Sequence, residues 1–287
     1  MKRILTYMMA ILLGHAGSMA QEKGNRNLKV ILKAEYEAVE TLTGKDGNSK
    51  ENSSKWILQM APGKSYYYNP QTYFVDSLDN DPNGKSILMA AWADALAEFR
   101  NTGADAMKLL QEKGLTRESQ YKCLKDFAED KMTVWDTNFG DHFRYPVPMG
   151  DLVWEICDTT KNIMGYECQM AESDYHGRRW IGWFSPEIPM QDGPWQLFGL
   201  PGLIMEAYSK DGAFRFLIKG LQQCEETFKD PFERESIFIT KRKSYLKQKD
   251  YTRRNRSAQL KAMTGGAVNV NADYTGNDDF LETDYHE

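Results

Sequence analysis

Most of this chain alternates short apolar runs with turn-forming residues, a pattern typical of antiparallel β-structure. Residues 28–42 begin it, where Tyr36 and Ala38 alternate with Glu35 and Glu37. Further short strands recur, joined by turns such as Pro62-Gly63. Strands joined by such local turns pair antiparallel. The pattern therefore predicts a mainly β (α+β) fold, built on a curved antiparallel sheet or half-barrel.

One segment departs from this pattern and predicts a helical insertion at about residues 84–114. Its apolar residues recur at the spacing of a helix rather than of a strand. Because an apolar helix face needs a partner surface, we expect these helices to cover one face of the sheet. The apolar positions are Ile87, Leu88, Ala91, Trp92, Leu96 and Phe99.

The N-terminus has the three parts of a secretory signal. Lys2 and Arg3 precede an apolar run over residues 4–13, and small residues at Ser18 and Ala20 suit cleavage before Gln21. A membrane anchor is the alternative, but the run is too short to span about 30 Å of hydrocarbon. We expect residues 1–20 to be removed, placing the mature chain in the periplasm or exporting it, without a transmembrane segment.

The C-terminal region changes character after the predicted β-rich domain, residues 21–228. Residues 229–264 are basic and predict a helical extension, whereas residues 265–287 hold six acids and no Lys or Arg and predict a disordered tail. The basic run could contact anionic lipid or a protein partner. A solvated helix neutralised by the acidic tail is the alternative.

Composition excludes some classes of partner. The 287 residues are 41% hydrophobic and 12% aromatic, enough to fill a sizeable core. The net charge is −5, and loss of Lys2 and Arg3 makes it −7. This balance argues against a general nucleic-acid-binding protein.

Four cysteines permit two disulfides in an exported protein. Cys157 and Cys168 flank a turn predicted near residues 162–165, so we expect them to pair across a hairpin. Cys123 and Cys224 would then form the second bridge. A zinc site is the alternative, although the spacing has no paired CxxC signature. We therefore predict no metal site and no cofactor.

The run at residues 193–204 combines tight-turn residues with an apolar strand. It reads Gly193, Pro194, Trp195, Gln196, Leu197, Phe198, Gly199, Leu200, Pro201, Gly202, Leu203 and Ile204. Proline followed by glycine favours a type II turn, in which Gly202 takes a positive φ. The hexamer from Gly199 to Ile204 has no nucleophile, acid, base or metal ligand, so we interpret it as structural.

That hexamer and the residues before it resemble the GLPGLI family, which is named for this motif. The resemblance covers about fifty residues closely. It implies an envelope protein of Bacteroidota with a β-rich fold, and it implies no catalytic residues, because the family has no established biochemical function. The matching residues are Trp154, Asp158, Lys161, Gly165, Tyr166, Cys168, Gly177, Arg178, Trp180, Trp183, Pro189, Gly193, Pro194 and Ile204.

Catalytic chemistry has one candidate, His176, which follows Asp174 closely in a predicted turn. A hydrolase-like enzyme would need His176 beside nearby acids and a nucleophile. Those residues would be Glu172, Glu187, Ser173 and Ser185. The sequence contains no GxSxG, HExxH or Walker motif, so we assign no catalytic residue.

Aromatic residues around the hexamer suggest a binding site instead. Trp180 and Phe184 share one face of a predicted strand and Trp183 lies on the other, so one aromatic face could line a groove. We therefore predict a non-enzymatic binding or accessory module for a hydrophobic ligand, a peptide or an outer-membrane transport partner. A periplasmic hydrolase-like enzyme using His176 is the alternative. The candidate binding residues are Trp180, Trp183, Trp195 and Phe198.

Overall fold

The computed structural model describes residues 28–43, 48–232, 236–255, 258 and 280–286. The predicted signal peptide and residues 265–279 of the predicted tail lie outside the described residues.

Twelve strands form one open sheet, in the order β12-β6-β5-β4-β3-β2-β1-β11-β10-β9-β8-β7. Every neighbouring pair is antiparallel except β12 and β6, which are parallel. The prediction of a mainly β fold with an antiparallel sheet and a helical insertion is confirmed. The strands are β1 (Leu32–Thr43), β2 (Ser49–Ala61), β3 (Lys64–Tyr68), β4 (Lys122–Asp126), β5 (Lys131–Asn138), β6 (Asp141–Val147), β7 (Glu155–Ile163), β8 (Tyr166–Tyr175), β9 (Arg178–Ser185), β10 (Leu203–Ser209), β11 (Phe214–Gln223) and β12 (Phe238–Ile239).

Two-residue turns set the register of three hairpins. The turn residues are Phe139-Gly140, Met164-Gly165 and His176-Gly177, and both members of each pair have φ between 52° and 95°. Two consecutive positive φ angles define the type I′ turn, whose twist matches that of the paired strands. The glycine adopts this conformation without a steric cost.

The two faces of the sheet carry separate cores. Tyr67 on β3 belongs to the main core, while its neighbours Tyr66 and Tyr68 belong to a smaller cluster with Val30 and Phe228. Successive side chains of a strand point to opposite faces, so the tyrosine triplet supplies both cores. Most large aromatic side chains of β9, β11 and residues 193–204 lie in the main core.

Helix α1 (Pro70–Asp79) packs on the smaller core through Tyr73. The helices of the predicted insertion, α2 (Pro82–Thr102) and α3 (Ala106–Glu112), form a hydrophobic cluster of their own instead of covering the sheet, contrary to expectation. The small residues Ala91 and Ala95 bury α2 against α3, because their side chains allow close helix approach. The large apolar side chains Trp92, Leu96 and Phe99 remain 42–52% exposed.

The C-terminal region returns to the sheet. Helix α4 (Arg242–Arg254) packs on β6 through Tyr245, whose ring stacks on Tyr145 at 5.1 Å between centroids. Residues 280–286 then pack against α4 and the β8–β9 turn, and Glu282 and Tyr285 are buried. Disorder was predicted for the whole tail, and for residues 280–286 that prediction is wrong. Among the described helices, none combines the length and apolar character needed to cross a bilayer.

The predicted disulfides are wrong, since all four cysteines are free thiols. The turn at Met164-Gly165 pairs Cys168 with Lys161. Cys157 lies in β7 at a greater distance from the turn, in the irregular stretch between Ile156 and Thr160. Cys123 belongs to the main core, whereas Cys224 packs on the smaller cluster. The sheet therefore separates the second pair.

Candidate functional site

The loop at residues 193–204 uses its glycines differently from the prediction. Gly199 takes the positive φ, +89°, whereas Gly202 does not, so Pro201-Gly202 is not a type II turn. Instead the Gly202 amide donates to the Leu200 carbonyl at 2.7 Å, around Pro201. Gly202 is needed for space, because a Cβ there would collide with the Ser185 carbonyl.

A buried ion pair holds this loop on the sheet. Lys125 of β4 is fully buried, and its ammonium donates to Asp192 Oδ1 at 2.6 Å. It also donates to the carbonyls of Gly193 at 2.8 Å and Leu197 at 3.1 Å. All three ammonium hydrogens thus have acceptors. Sequence reasoning missed Lys125, because its spacing in a short strand does not differ from that of a surface lysine.

The predicted binding residues do not form one open groove. Trp180 and Trp195 are buried with their ring centroids 5.3 Å apart, and Trp183 on the other face is also buried beneath Lys161. Phe198 is half-buried and contacts Phe127 edge-on. Of the four predicted residues, only Trp195 lines the principal cavity.

That cavity, the aromatic cavity, lies on the main-core face and has a volume of about 470 Å³. Trp56 and Tyr67 stack at 4.8 Å with an interplanar angle of 3°, and Tyr121 meets Trp56 edge-on. Its size falls within the range of small-molecule sites. The apolar and aromatic lining comes from Ala38, Val39, Trp56, Tyr67, Tyr121, Trp195, Phe214, Phe216 and Leu281.

Polar side chains line the rest of the cavity. The acids are Glu40, Glu118 and Asp136, and the single base is Lys249 of α4. Lys249 is already bound to Asp136, with 2.5 Å between Nζ and Oδ2. The other polar lining residues are Asn52, Ser53, Ser54 and Ser119.

His176 lies in a buried polar cluster with the C-terminal segment. Its Nδ1 is 2.8 Å from Arg242 Nη2, and its Nε2 is 3.1 Å from Gln196 Oε1. Since arginine can only donate, Nδ1 accepts and Nε2 carries the hydrogen. Gln196 in turn donates to Glu282 Oε1 at 3.0 Å and to the Tyr121 hydroxyl at 3.1 Å.

Arg242 joins this cluster to two carboxylates of residues 280–286. It donates to Glu282 at 3.0 Å and to both oxygens of Asp284. Burial raises the pKa of Glu282 above its ordinary value, against the opposing charge of Arg242 and the hydrogen bond from Gln196. Burial also acts to raise the pKa of Asp284, but the hydrogen bonds and the charge of Arg242 outweigh it and lower that pKa to about 2.

Of the four residues expected to assist His176, three bond elsewhere, and the buried Ser185 hydroxyl has no hydrogen-bond partner among the described residues. Glu172 accepts from Arg179, and the Ser173 hydroxyl donates to the Val153 carbonyl. Glu187 accepts from the Glu167 amide. Within the described residues, both ring nitrogens of His176 are engaged by Arg242 and Gln196. The arrangement anchors the C-terminal segment and does not present an activated nucleophile.

Sequence reasoning missed most of the aromatic cavity. Trp56, Tyr67 and Phe216 come from three separate strands and meet only across the sheet. The one available signal was the alternation in the tyrosine triplet, which puts Tyr67 on the opposite face from its neighbours. Groups of three or more His, Cys, Asp or Glu side chains able to hold a metal do not occur among the described residues.

Two solved structures and one family model are similar to parts of this chain. Two solved structures of PNGF-II resemble the fold, one at 10% identity with a TM-score of 0.49 and the other at 11% with 0.46. They cover 78% and 77% of this chain, which spans about a third of theirs, 34% and 33%. No curated protein matches the sequence. Residues 176–206 match the model of a family described as a protein of unknown function, Porph_ging.

Proposed function

We propose that this chain is an exported cell-envelope protein of the GLPGLI type that works as a non-enzymatic binding or accessory module. Its ligand is a hydrophobic molecule or a peptide that occupies the aromatic cavity. The observation that carries the proposal is the cavity itself, about 470 Å³, lined by aromatic rings beside the main core and open to solvent on one side.

The position of the cavity supports this function. It is lined by strands β1, β2, β3, β5 and β11, by the loop at residues 193–204 that carries Trp195 (the Trp195 loop), by α4 and by Leu281. The Lys125–Asp192 pair fixes the loop, and the Arg242 cluster fixes the segment that carries Leu281. A preformed site of this kind binds without the entropic cost of ordering its walls.

The expected signal peptide supports export. We also propose an outer-membrane transport partner. The module would deliver its bound ligand or peptide to this partner. The family match at residues 176–206, to a family of unknown function, covers β9 and the Trp195 loop and overlaps the residues that resemble the GLPGLI family.

Native mass spectrometry of the mature protein, purified from a periplasmic fraction, tests the proposal. We expect an added mass that organic solvent removes. The variant Ala38→Trp fills the cavity from β1 and should lose that mass. Ala93→Trp, at an exposed position on α2, is the matched control and should keep it. A bare chain that also binds none of the aromatic probes described below would contradict the proposal.

A further inference from the structure

We infer that the ligand of the aromatic cavity carries a positive charge, an amine or guanidinium joined to an apolar or aromatic body. The inference rests on the proposed function and specifies the class of ligand. It follows from the combination of aromatic walls, an excess of lining carboxylates and one carboxylate held in place without a cationic partner.

The charges of the lining favour a cation. Among the described lining residues, Glu40, Glu118 and Asp136 are acids and Lys249 is the base, whose ammonium is bound to Asp136. Asp136 is buried, Glu40 is half-buried and Glu118 is exposed, so Glu118 acts on the cavity from its solvent-facing side. An anionic ligand would meet like charges there.

Glu118 is the carboxylate best placed to bind the cationic group. Its Oε2 accepts a hydrogen bond from the Asn69 side-chain amide at 2.9 Å, and it takes part in none of the ion pairs of the described residues. The Asn69 amide is neutral and Glu118 is exposed, so solvent alone balances the charge of this carboxylate. A charge-assisted bond to a ligand amine would compensate it.

The residue that binds Glu118, Asn69, is fixed by several hydrogen bonds. Asn69 is 1% exposed, and it also donates to the Lys55 carbonyl at 3.1 Å and accepts from the Thr72 amide at 2.8 Å. The neighbouring Ser119 amide donates to the Thr72 hydroxyl at 3.1 Å. Because Asn69 also caps α1, the carboxylate is preorganised by the start of a helix.

The aromatic walls favour the same ligand. The electron-rich faces of tryptophan and tyrosine attract cations within about 6 Å of the ring centroid. Trp56 and Tyr67 cover one face of each other's ring, so this surface comes from the parts of the two rings that line the cavity outside their stack. The cavity therefore offers both halves of an amphipathic cation a partner.

Three probes of matched shape test the inference: 2-phenylethylamine, 2-phenylethanol and 3-phenylpropionate. They carry one ring on a two-carbon linker and differ in charge. Binding is measured by ligand-observed NMR, with Ala38→Trp to identify binding in the cavity. We expect the amine to bind most tightly and the carboxylate least. Glu118→Gln should weaken amine binding about tenfold and leave the alcohol unchanged. Glu98→Gln, an exposed acid on α2, is the control.

The outcomes separate the two proposals. If the alcohol binds in the cavity but the amine binds no more tightly, or Glu118→Gln has no effect on the amine, the charge inference is overturned and the binding function stands. If none of the three binds in a manner that Ala38→Trp abolishes, and the purified protein carries no added mass, the proposed function is overturned as well.

Discussion

The Lys125 ammonium lies 2.6 Å from the Asp192 carboxylate in the interior of the protein, with side chains 0% and 3% exposed. These residues belong to β4 and to the loop after β9, which are far apart in the strand order of the sheet. The pair therefore crosses the main core and ties the Trp195 loop to the opposite part of the sheet. It sets the position of one wall of the aromatic cavity.

Removing the ammonium should be strongly destabilising. In Lys125→Met, Asp192 stays buried without its charge partner, and the carbonyls of Gly193 and Leu197 lose their donor. We expect the free energy of unfolding to fall by about 3–5 kcal/mol, measured by urea denaturation. Lys55→Met breaks a surface pair with Glu35, whose side chains are 55% and 38% exposed, and should cost less than about 1 kcal/mol. Equal losses in the two variants would contradict this account.

The glycines of the hexamer should differ in tolerance. Gly202→Ala forces a Cβ against the Ser185 backbone, which cannot yield easily, so we expect a loss of about 1–3 kcal/mol or more in thermal denaturation. Gly199→Ala meets open space and costs only the positive φ of 89°, about 1 kcal/mol. Gly150→Ala, with open space and no positive φ, is the control. A larger loss for Gly199→Ala than for Gly202→Ala would be the opposite of what the geometry requires.

The cysteines should remain reduced and react unequally. Burial raises the pKa of the Cys123 thiol to about 12 and that of Cys168 to about 11, so neither forms appreciable thiolate near pH 8. Cys157 and Cys224 are half-buried. We expect iodoacetamide to label these two in the folded protein, with Cys123 and Cys168 labelled only after denaturation.

Intact mass under non-reducing conditions provides the check. A mature chain with four thiols labels at all four positions in denaturant without a reductant. A mass lower by four hydrogens, or labelling that requires a reductant, would restore the disulfides that the sequence predicted.

Acid should release the C-terminal segment. The pKa of Asp284 is about 2 when folded and near 3.8 when unfolded, so its contribution to stability is complete above about pH 4 and is lost as the pH falls towards 2. The raised pKa of Glu282 acts in the opposite sense, because its protonation removes a buried charge. We expect hydrogen exchange at residues 280–286, corrected for the pH dependence of intrinsic amide exchange, to rise between pH 4 and 2.

Asp284→Asn should produce part of this release at neutral pH, since an amide cannot pair with the Arg242 charge. Asp141→Asn, at the exposed start of β6, is the control. Exchange that stays constant down to pH 2 in the unmodified protein would show that Asp284 does not hold the segment.

The local signals of the sequence were sufficient for the class of fold. The turns at Pro62-Gly63 and near residues 162–165, together with the strand that follows the hexamer, are where the pattern placed them. Two-residue turns and period-two alternation depend on neighbours in the chain, so a single sequence contains them. The helical insertion was found for the same reason, because the 3.6-residue period is local.

The face that each helix or strand buries, and the element that it packs against, depend on residues far away in the sequence. The spacing of Trp92, Leu96 and Phe99 predicts a helix, but only the tertiary structure shows that α2 buries its alanines instead. Cys157 and Cys168 flank a hairpin in the sequence, yet the register of that hairpin separates them. A small shift in register changes every cross-strand partner, and sequence spacing does not resolve it.

The sequence by itself determined a β-rich chain with an aromatic-rich loop and a helical insertion. Only the tertiary structure decided which aromatic residues fill the core and which surround a cavity. Trp180 and Trp195 come from one stretch of the sequence and pack together in the core, whereas Trp56, Tyr67 and Phe216 meet across strands β2, β3 and β11. The buried partners Lys125–Asp192 and Arg242–Glu282 likewise join distant segments, since an interior charge is stabilised by whichever opposite charge the fold brings to it.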